Sequence, residues 1–333
     1  MAATSTMKAA VYNEFGNSSV LSISDVPKPT AAAGQVVIAV KASGVNPVDW
    51  KLREGYLQTM MPQSFPTIPS WDAAGTIAEV GEGVTGFTVG DEVYAYNRPT
   101  PETSPEAKVC NNGCAAQFVA LAADRVAAKP KSVDIPTAGA IPLVGLTAWQ
   151  GLFDHGAAVE GNTVLILNAS GGVGSFAVQF AKAKGLTVIA TASAKNTDFV
   201  KDLGADAVVD YSSDSLTEDV IAAAGGKPVD VVFDCVGGDA AATGLAALKE
   251  GGVIVSIAKF DIGADAEAAG KGQTGKAFMV LPSAEQLTTI AELIDAGKVK
   301  MGELTTFPLA DIAKAQDASQ THHVRGKMVL LIE

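Results

Sequence analysis

Hydrophobic and polar positions fall into two textures along the chain. From residue 7 to about 134, short apolar runs (8–12, 35–43, 75–80, 91–95 and 117–121) each end in Gly, Pro or other turn formers. Runs of that length and punctuation predict an irregular β-rich unit with barrel-like strand spacing. Residues 97–114, rich in Pro, Glu, Asn and Gly, read as a loop. Beyond Pro136 the period changes. Helix-compatible segments (137–155, 174–184, 196–203 and 240–248) alternate with β-branched runs at 163–167, 187–190, 207–209, 229–233, 253–257 and 277–280. That alternation predicts right-handed βαβ units, and so a doubly wound parallel α/β domain with helices on both faces. A tail with a helix-like 284–297, an apolar 307–309 and a final strand 327–332 has no place in that sheet and is expected to rejoin the first domain. The predicted organisation is residues 1–135 with 283–333 in one domain and 136–282 in the other.

Composition narrows the partners. Mean hydropathy is +0.24, yet the apolar runs are bounded by Gly, Asp or Lys and fall far short of the ~20 residues of a spanning helix. Residues 1–6 place no cationic segment ahead of an apolar one, so no secretory signal is expected. Thirty-six acidic against 24 basic side chains give a net charge of −12, which works against nucleic acid or an anionic membrane surface as partner. Three cysteines in 333 residues argue against a disulfide framework and a four-cysteine zinc module. A reducing compartment fits, giving a cytoplasmic expectation with organelle association left open.

The strongest chemical signal is the run from Thr163 to Gly174, in which a buried-strand pattern enters a glycine-rich turn and then an apolar-faced helix carrying Phe176, Ala177, Phe180 and Ala181. In the G-x-G-x-x-G register Ala169 takes the first position, Gly171 the second and Gly174 the third. Gly171 would let the backbone approach a pyrophosphate and Gly174 would let helix and strand pack closely. With Ser170, Gly172 and Val173, the turn would present its N–H groups to phosphates. An NAD site expects an acid about 20 residues on. Here the next strand ends in 191–196 with Ser193 and Lys195, and no acid precedes Asp198. That favours NADPH, Lys195 meeting the 2′-phosphate, the alternative being a solvated lysine at a helix start. Tyr211 either flanks the adenine or is a surface tyrosine.

Several motifs, spread over nearly the whole chain, carry a resemblance: 44–53 (GVNPVDWKLR) with Gly55, 90–93 (GDEV), 145–148 (GLTA), 169–174, 203–206 with Asp210 and Tyr211, and 233–238 (FDCVGG). Together they are similar to the zinc-free medium-chain dehydrogenase/reductases of the quinone oxidoreductase group, which includes zeta-crystallin-like proteins and plant enone or alkenal reductases. The resemblance implies a GroES-like catalytic domain, completed by the tail, and a Rossmann nucleotide-binding domain, commonly as a homodimer. It implies further cofactor contacts at Thr147, Val236, Gly237, Ser256, Ile257, Phe278, Val280, Arg325 and Lys327. Zinc-containing relatives place Cys where Asn46 stands, His where Trp71 stands and a further Cys near 141–144. The loop matching their structural zinc offers only Cys110 and Cys114. No metal is therefore expected, since zinc wants thiolate or imidazole ligands.

Metal-free chemistry favours reduction of an activated acceptor over alcohol oxidation. The expected reaction is hydride transfer from NADPH to a quinone or to the C=C bond of an enone or alkenal, with donors stabilising the charge that collects on oxygen. The candidate catalytic residues are Lys51, Asn46 and Asp49. Lys51 would polarise a carbonyl or anchor a ribose hydroxyl, and Asn46 would bond the substrate carbonyl or the cofactor. Asp49 would orient Lys51 or the loop, or only cap a short helix. The competing readings are a non-catalytic NADPH-binding structural or redox-sensing protein, and an enoyl-thioester or carbonyl reductase of the same fold.

Overall fold

A computed structural model describes residues 5–99, 112–321 and 325–333. The chain forms two compact units, the first from Met1–Leu143, Leu281–Asp295 and Glu303–Glu333, the second from Val144–Val280 and Ala296–Gly302.

In the first unit the long strand Gln35–Val45 is the organising element. Its first half pairs antiparallel with Phe118–Ala122 and its second half with Lys327–Leu331, while Asp72–Val80 lies along its opposite edge. Glu92–Tyr96 and Val126–Ala128 extend the sheet on that side, and Leu304–Pro308 pairs parallel with Lys327–Leu331 on the other. Alternate residues of these strands point to one core: Val36, Ile38 and Val40 meet Ala73 and Ile77, Val93 and Ala95, and Val119 and Leu121. That is the two-residue period of a half-buried strand. Thr6–Val11 and Ser22–Pro27 form a separate antiparallel pair.

Six parallel strands make the sheet of the second unit, among the described residues. Across it they run Ala207–Asp210, Thr187–Ala192, Thr163–Leu167, Val229–Asp234, Leu248–Ser256 and Thr274–Ala277. The order reverses between the strands at 163 and 229, and a doubly wound sheet binds its ligand at the carboxyl ends beside such a reversal. Helices Gly172–Ala183, Thr197–Asp202, Leu216–Ala223, Gly238–Ala247 and Ile262–Ala268 occupy the crossovers.

The structure differs from the sequence-based expectation at several places. The strand expected at 277–280 lies at Thr274–Ala277, after a helix Ile262–Ala268. Gly275 explains the shift: a Cβ there would stand 2.3 Å from the Ile262 carbonyl oxygen, so a residue that reads as a strand breaker is what lets helix and strand touch. The helix-compatible 137–155 is divided into Ile135–Gly139, Pro142–Trp149 and a π-helical turn Gln150–His155, with Pro142 opening the second segment. Of the loop 97–114, residues 100–111 with Cys110 lie outside the described residues, whereas Cys114 is buried. Among the described residues, no helix is long and apolar enough to cross a membrane.

Candidate active site

Asn46 joins the strand Gln35–Val45 to the short helix Pro47–Arg53. Pro47 suits the first helical position, where a missing N–H costs nothing. Asp49 reaches back, its Oδ2 accepting the Asn46 backbone N–H at 2.8 Å. The Asn46 side chain is 0% exposed and committed at both ends. Its Nδ2 donates to Asp72 Oδ2 at 2.7 Å, and its Oδ1 accepts from Lys327 Nζ at 2.6 Å. Lys327 Nζ also donates to the Val45 carbonyl at 3.1 Å, and Asp72 Oδ1 accepts the Leu143 N–H at 2.7 Å. Burial pushes the Asp49 carboxyl up to about 7, with the Asp72 charge adding to it. Burial also raises Asp72 to about 6, against the pull of the Lys327 ammonium, and lowers Lys327 from its ordinary value.

Lys51 stands one turn further along the same helix. Its ammonium lies 5.6 Å from the centre of the Trp50 ring, and among the described residues it makes no hydrogen bond or ion pair. Burial lowers its pKa. Tyr56 donates its N–H to the Lys51 carbonyl at 3.0 Å and meets Trp50 edge-on at 6.1 Å. Tyr56 and Met60 are 70% and 52% exposed. A cation with no anion beside it among the described residues therefore adjoins the Trp50 and Tyr56 rings, an arrangement suited to a flat apolar molecule that carries or develops negative charge on oxygen.

In the second unit the glycine turn is tied to its neighbouring strand, Asn168 N–H donating to Thr191 Oγ1 at 3.1 Å and Ala169 N–H to the Thr191 carbonyl at 3.0 Å. Gly171 caps the helix Gly172–Ala183. A Cβ on Gly174 would stand 2.2 Å from Asn168 O and 2.7 Å from Ala169 Cα, both backbone, whereas one on Gly171 would press only on the Asn168 side chain, at 2.9 Å, with the Asn168 carbonyl oxygen at an ordinary 3.4 Å. The two glycines thus do different things. Gly174 permits the helix to start against the strand end, and Gly171 keeps the open face of the turn bare beside the helix N-terminus, which is the cradle a pyrophosphate requires. Ser170, Gly172 and Val173 complete the turn, and Asn196 Nδ2 donates to Ser170 Oγ at 3.2 Å.

At the adjoining strand ends a single buried carboxylate organises two loops. Asp234 Oδ1 accepts the N–H groups of Val236 and Gly237 at 2.8 and 2.9 Å, and its Oδ2 accepts Ser256 Oγ at 2.6 Å. Ile257 donates its N–H to the Asp234 carbonyl at 3.0 Å. The four expected cofactor residues Val236, Gly237, Ser256 and Ile257 are thereby brought together. Thr147 is buried in the helix Pro142–Trp149, and Phe278 and Val280 are buried beyond the last strand, Phe278 stacked 4.3 Å from His155. Ser193 is half-buried, Lys195 exposed, and Tyr211 is 60% exposed.

Two placements differ from the expectation. Asn46, expected to bond a substrate carbonyl or the cofactor, has its amide oxygen bonded by Lys327 and an amide hydrogen bonded to Asp72. Lys327, expected at the cofactor, is 7% exposed and belongs to that buried network, while Arg325 is exposed and paired with Glu303. The stretch 191–196 holds no acid of its own, but the neighbouring strand brings one to it. Asp210, at the end of the neighbouring strand, accepts from Ser212 and from the Ala194 N–H, and these bonds, Ser212 first, hold its carboxyl below the usual range. Asp72, Asp234, Asn196 and Asp210 were missed as site residues. An acid at the end of a predicted strand is the signal that could have found Asp210 and Asp234.

Asn46, Trp71 and residues 141–144 offer no thiolate or imidazole to a metal. The Asn46 amide is already bonded on both sides, Trp71 is buried edge-on to Tyr96, and among the described residues no three His, Cys, Asp or Glu are grouped to hold a metal. Comparison with known proteins gives the lineage. Residues 32–131 match the family described as alcohol dehydrogenase GroES-like domain, and residues 203–330 the family described as zinc-binding dehydrogenase. The chain is 33% identical over 334 residues to the chloroplast envelope quinone oxidoreductase homolog of Arabidopsis thaliana, covering 97% of this chain and 98% of that protein. It is 34% identical to the chloroplastic NADPH-dependent alkenal/one oxidoreductase of the same plant, covering 97% of this chain and 79% of that one. The solved quinone oxidoreductase from Coxiella burnetii superposes with a TM-score of 0.85 at 32% identity, covering 99% of this chain and 100% of that one. With a GroES-like unit, a Rossmann unit and relatives of this similarity over nearly its whole length, the chain belongs to the quinone oxidoreductase group of the medium-chain dehydrogenase/reductase family.

Proposed function

We propose that the chain is an NADPH-dependent reductase that works without a metal on quinones or on the C=C bond of α,β-unsaturated carbonyl compounds. The observation that carries this reading is Lys51, a half-buried ammonium with no anionic partner among the described residues, set beside the Trp50 ring and exposed Tyr56. The names of the plant relatives point the same way. The nicotinamide of the cofactor, when bound, supplies the hydride. The chain's own residues do the rest. The turn around Gly171 receives the pyrophosphate, and Ser193 and Lys195 receive the 2′-phosphate. Asp234 holds the Val236–Gly237 and Ser256–Ile257 backbones in place at the strand ends. Lys51 donates to the oxygen on which charge collects as hydride adds to carbon. Asn46 and Asp49 fix the helix that carries it. The partner is a small molecule, and the expected setting is the cytoplasm or an organelle interior, as a homodimer.

The test is NADPH oxidation by the purified protein with a panel of quinones and enones, in the presence of chelator, followed by product analysis of one enone. A saturated ketone is the expected product, and Lys51→Met is expected to lower kcat with NADPH binding retained. An allylic alcohol would assign carbonyl reduction instead. NADPH binding without oxidation of any acceptor would leave a binding protein, and loss of turnover to chelator would end the metal-free reading.

A further inference from the structure

We propose that Lys327 is a positioning residue for this reaction: its ammonium clamps the Asn46 amide and the Val45 carbonyl, and thereby sets the helix that presents Lys51. The kinetic part of this inference rests on the function proposed above, and the structural part does not.

The contacts that carry it converge on one peptide. Lys327 Nζ donates to Asn46 Oδ1 at 2.6 Å and to the Val45 carbonyl at 3.1 Å, from a strand that pairs with Gln35–Val45 through Met328 and Val45. An asparagine amide has two ends of nearly the same shape and opposite hydrogen-bonding sense. Lys327, which only donates, and ionised Asp72, which only accepts, hold it in one orientation, Nδ2 toward Asp72 Oδ2 at 2.7 Å. With its side chain fixed, Asn46 offers its backbone N–H to Asp49 at 2.8 Å, closing the start of the helix Pro47–Arg53. Lys51 follows one turn later. The same ammonium is the charge that faces Asp49 and Asp72, both buried. Removing it leaves the Val45 and Asn46 oxygens without that donor and Asp72 without the cation that favours its charge, a costly state for buried groups. The most direct relief is movement of the 45–49 backbone, and a displacement near 1 Å in a positioned catalytic group can cost about 100-fold in rate.

The test compares the wild-type chain with Lys327→Met and with the double variant Lys327→Met/Asp72→Asn, which removes the clamp without leaving Asp72 ionised. Amide hydrogen exchange of the cofactor-free proteins is expected to speed up over 46–54 in both variants and to stay unchanged over 163–183. In turnover, kcat is expected to fall about 10- to 100-fold while the NADPH Kd stays the same. Wild-type exchange over 46–54 in the variants overturns the clamp, as does a weakened NADPH Kd with unchanged kcat, which would make Lys327 a cofactor contact. If Lys327→Met does not fold, the double variant decides on the same measurements. If the wild-type chain turns over no acceptor, the functional reading fails by itself and the exchange arm judges the clamp.

Discussion

Gly171 and Gly174 lie in one turn, and substitution by alanine should separate the two tasks a dinucleotide turn performs. A Cβ on Gly174 would sit 2.2 Å from the Asn168 carbonyl oxygen, where carbon and oxygen ordinarily approach no closer than about 3.3 Å. The start of the helix Gly172–Ala183 must therefore retreat about 1 Å from the strand end, and the obstacle is backbone, which cannot rotate away. Overpacking of that kind costs about 1–3 kcal/mol, or about 0.5–1.5 M in urea midpoint at an ordinary denaturant sensitivity. Gly171 is different. Its backbone, at φ −76° and ψ 171°, is open to any residue, and the added Cβ presses only on the exposed Asn168 side chain, the Asn168 carbonyl oxygen lying at an ordinary 3.4 Å. Gly171→Ala should leave the cofactor-free stability within about 0.5 kcal/mol and weaken NADPH by ten-fold or more, about 1.4 kcal/mol, because the methyl stands where the pyrophosphate must approach. The assay is urea unfolding of both cofactor-free variants beside NADPH titration. An unshifted midpoint for Gly174→Ala, or undiminished NADPH affinity for Gly171→Ala, would refute the division of labour.

Two further outcomes follow from the charges. Lys195→Ala should cost NADPH about 1.5–3 kcal/mol of binding, the worth of a hydrogen bond to a charged group, and leave NADH nearly unchanged; equal losses in the two titrations would remove Lys195 from the 2′-phosphate and give Asp210 the larger say in specificity. Asp49 and Asp72 both titrate higher in the folded chain, at about 7 and about 6, than the 3.8 of a free aspartate. The stability they confer is therefore complete below about pH 3.8 and lost as pH rises through 6 to 7, so the difference in urea midpoint between Asp72→Asn and wild type should shift in favour of the variant as pH is raised from 4 to 8. A difference independent of pH would show that Asp72 ionises normally.

Local patterns carried most of the fold. The β-branched runs and the glycine turn lie within single stretches of chain, so period and spacing revealed the doubly wound sheet and the Thr163–Gly174 cradle. What escaped depends on contacts distant in sequence. Nothing near Asn46 announces that its amide will be enclosed by Asp72 and Lys327, because that enclosure exists only once Lys327–Leu331 has paired beside Gln35–Val45. Lys327, at the start of the final strand, was therefore expected at the cofactor. The strand Thr274–Ala277 was hidden for the opposite reason, since Gly275 serves a close contact with Ile262 that a local reading takes for a break. Asp210 was passed over because its carboxylate reaches Ala194 from the next strand rather than along its own.

The bond between Lys327 and Val45 spans 282 residues. At a synthesis rate of about 5–20 residues per second, the strand Gln35–Val45 waits roughly 15–60 s on the ribosome for the partner that covers its second half. The second unit is complete at Gly302, before that strand is made, and is free to fold first. Through that interval Val45 and Asn46 have neither a neighbouring strand nor a lysine, and an uncovered strand edge recruits other chains. Chaperone engagement and aggregation during expression should accordingly centre on the first unit, and a C-terminal fusion that delays pairing of Lys327–Leu331 should cost more yield than the same fusion at the N-terminus.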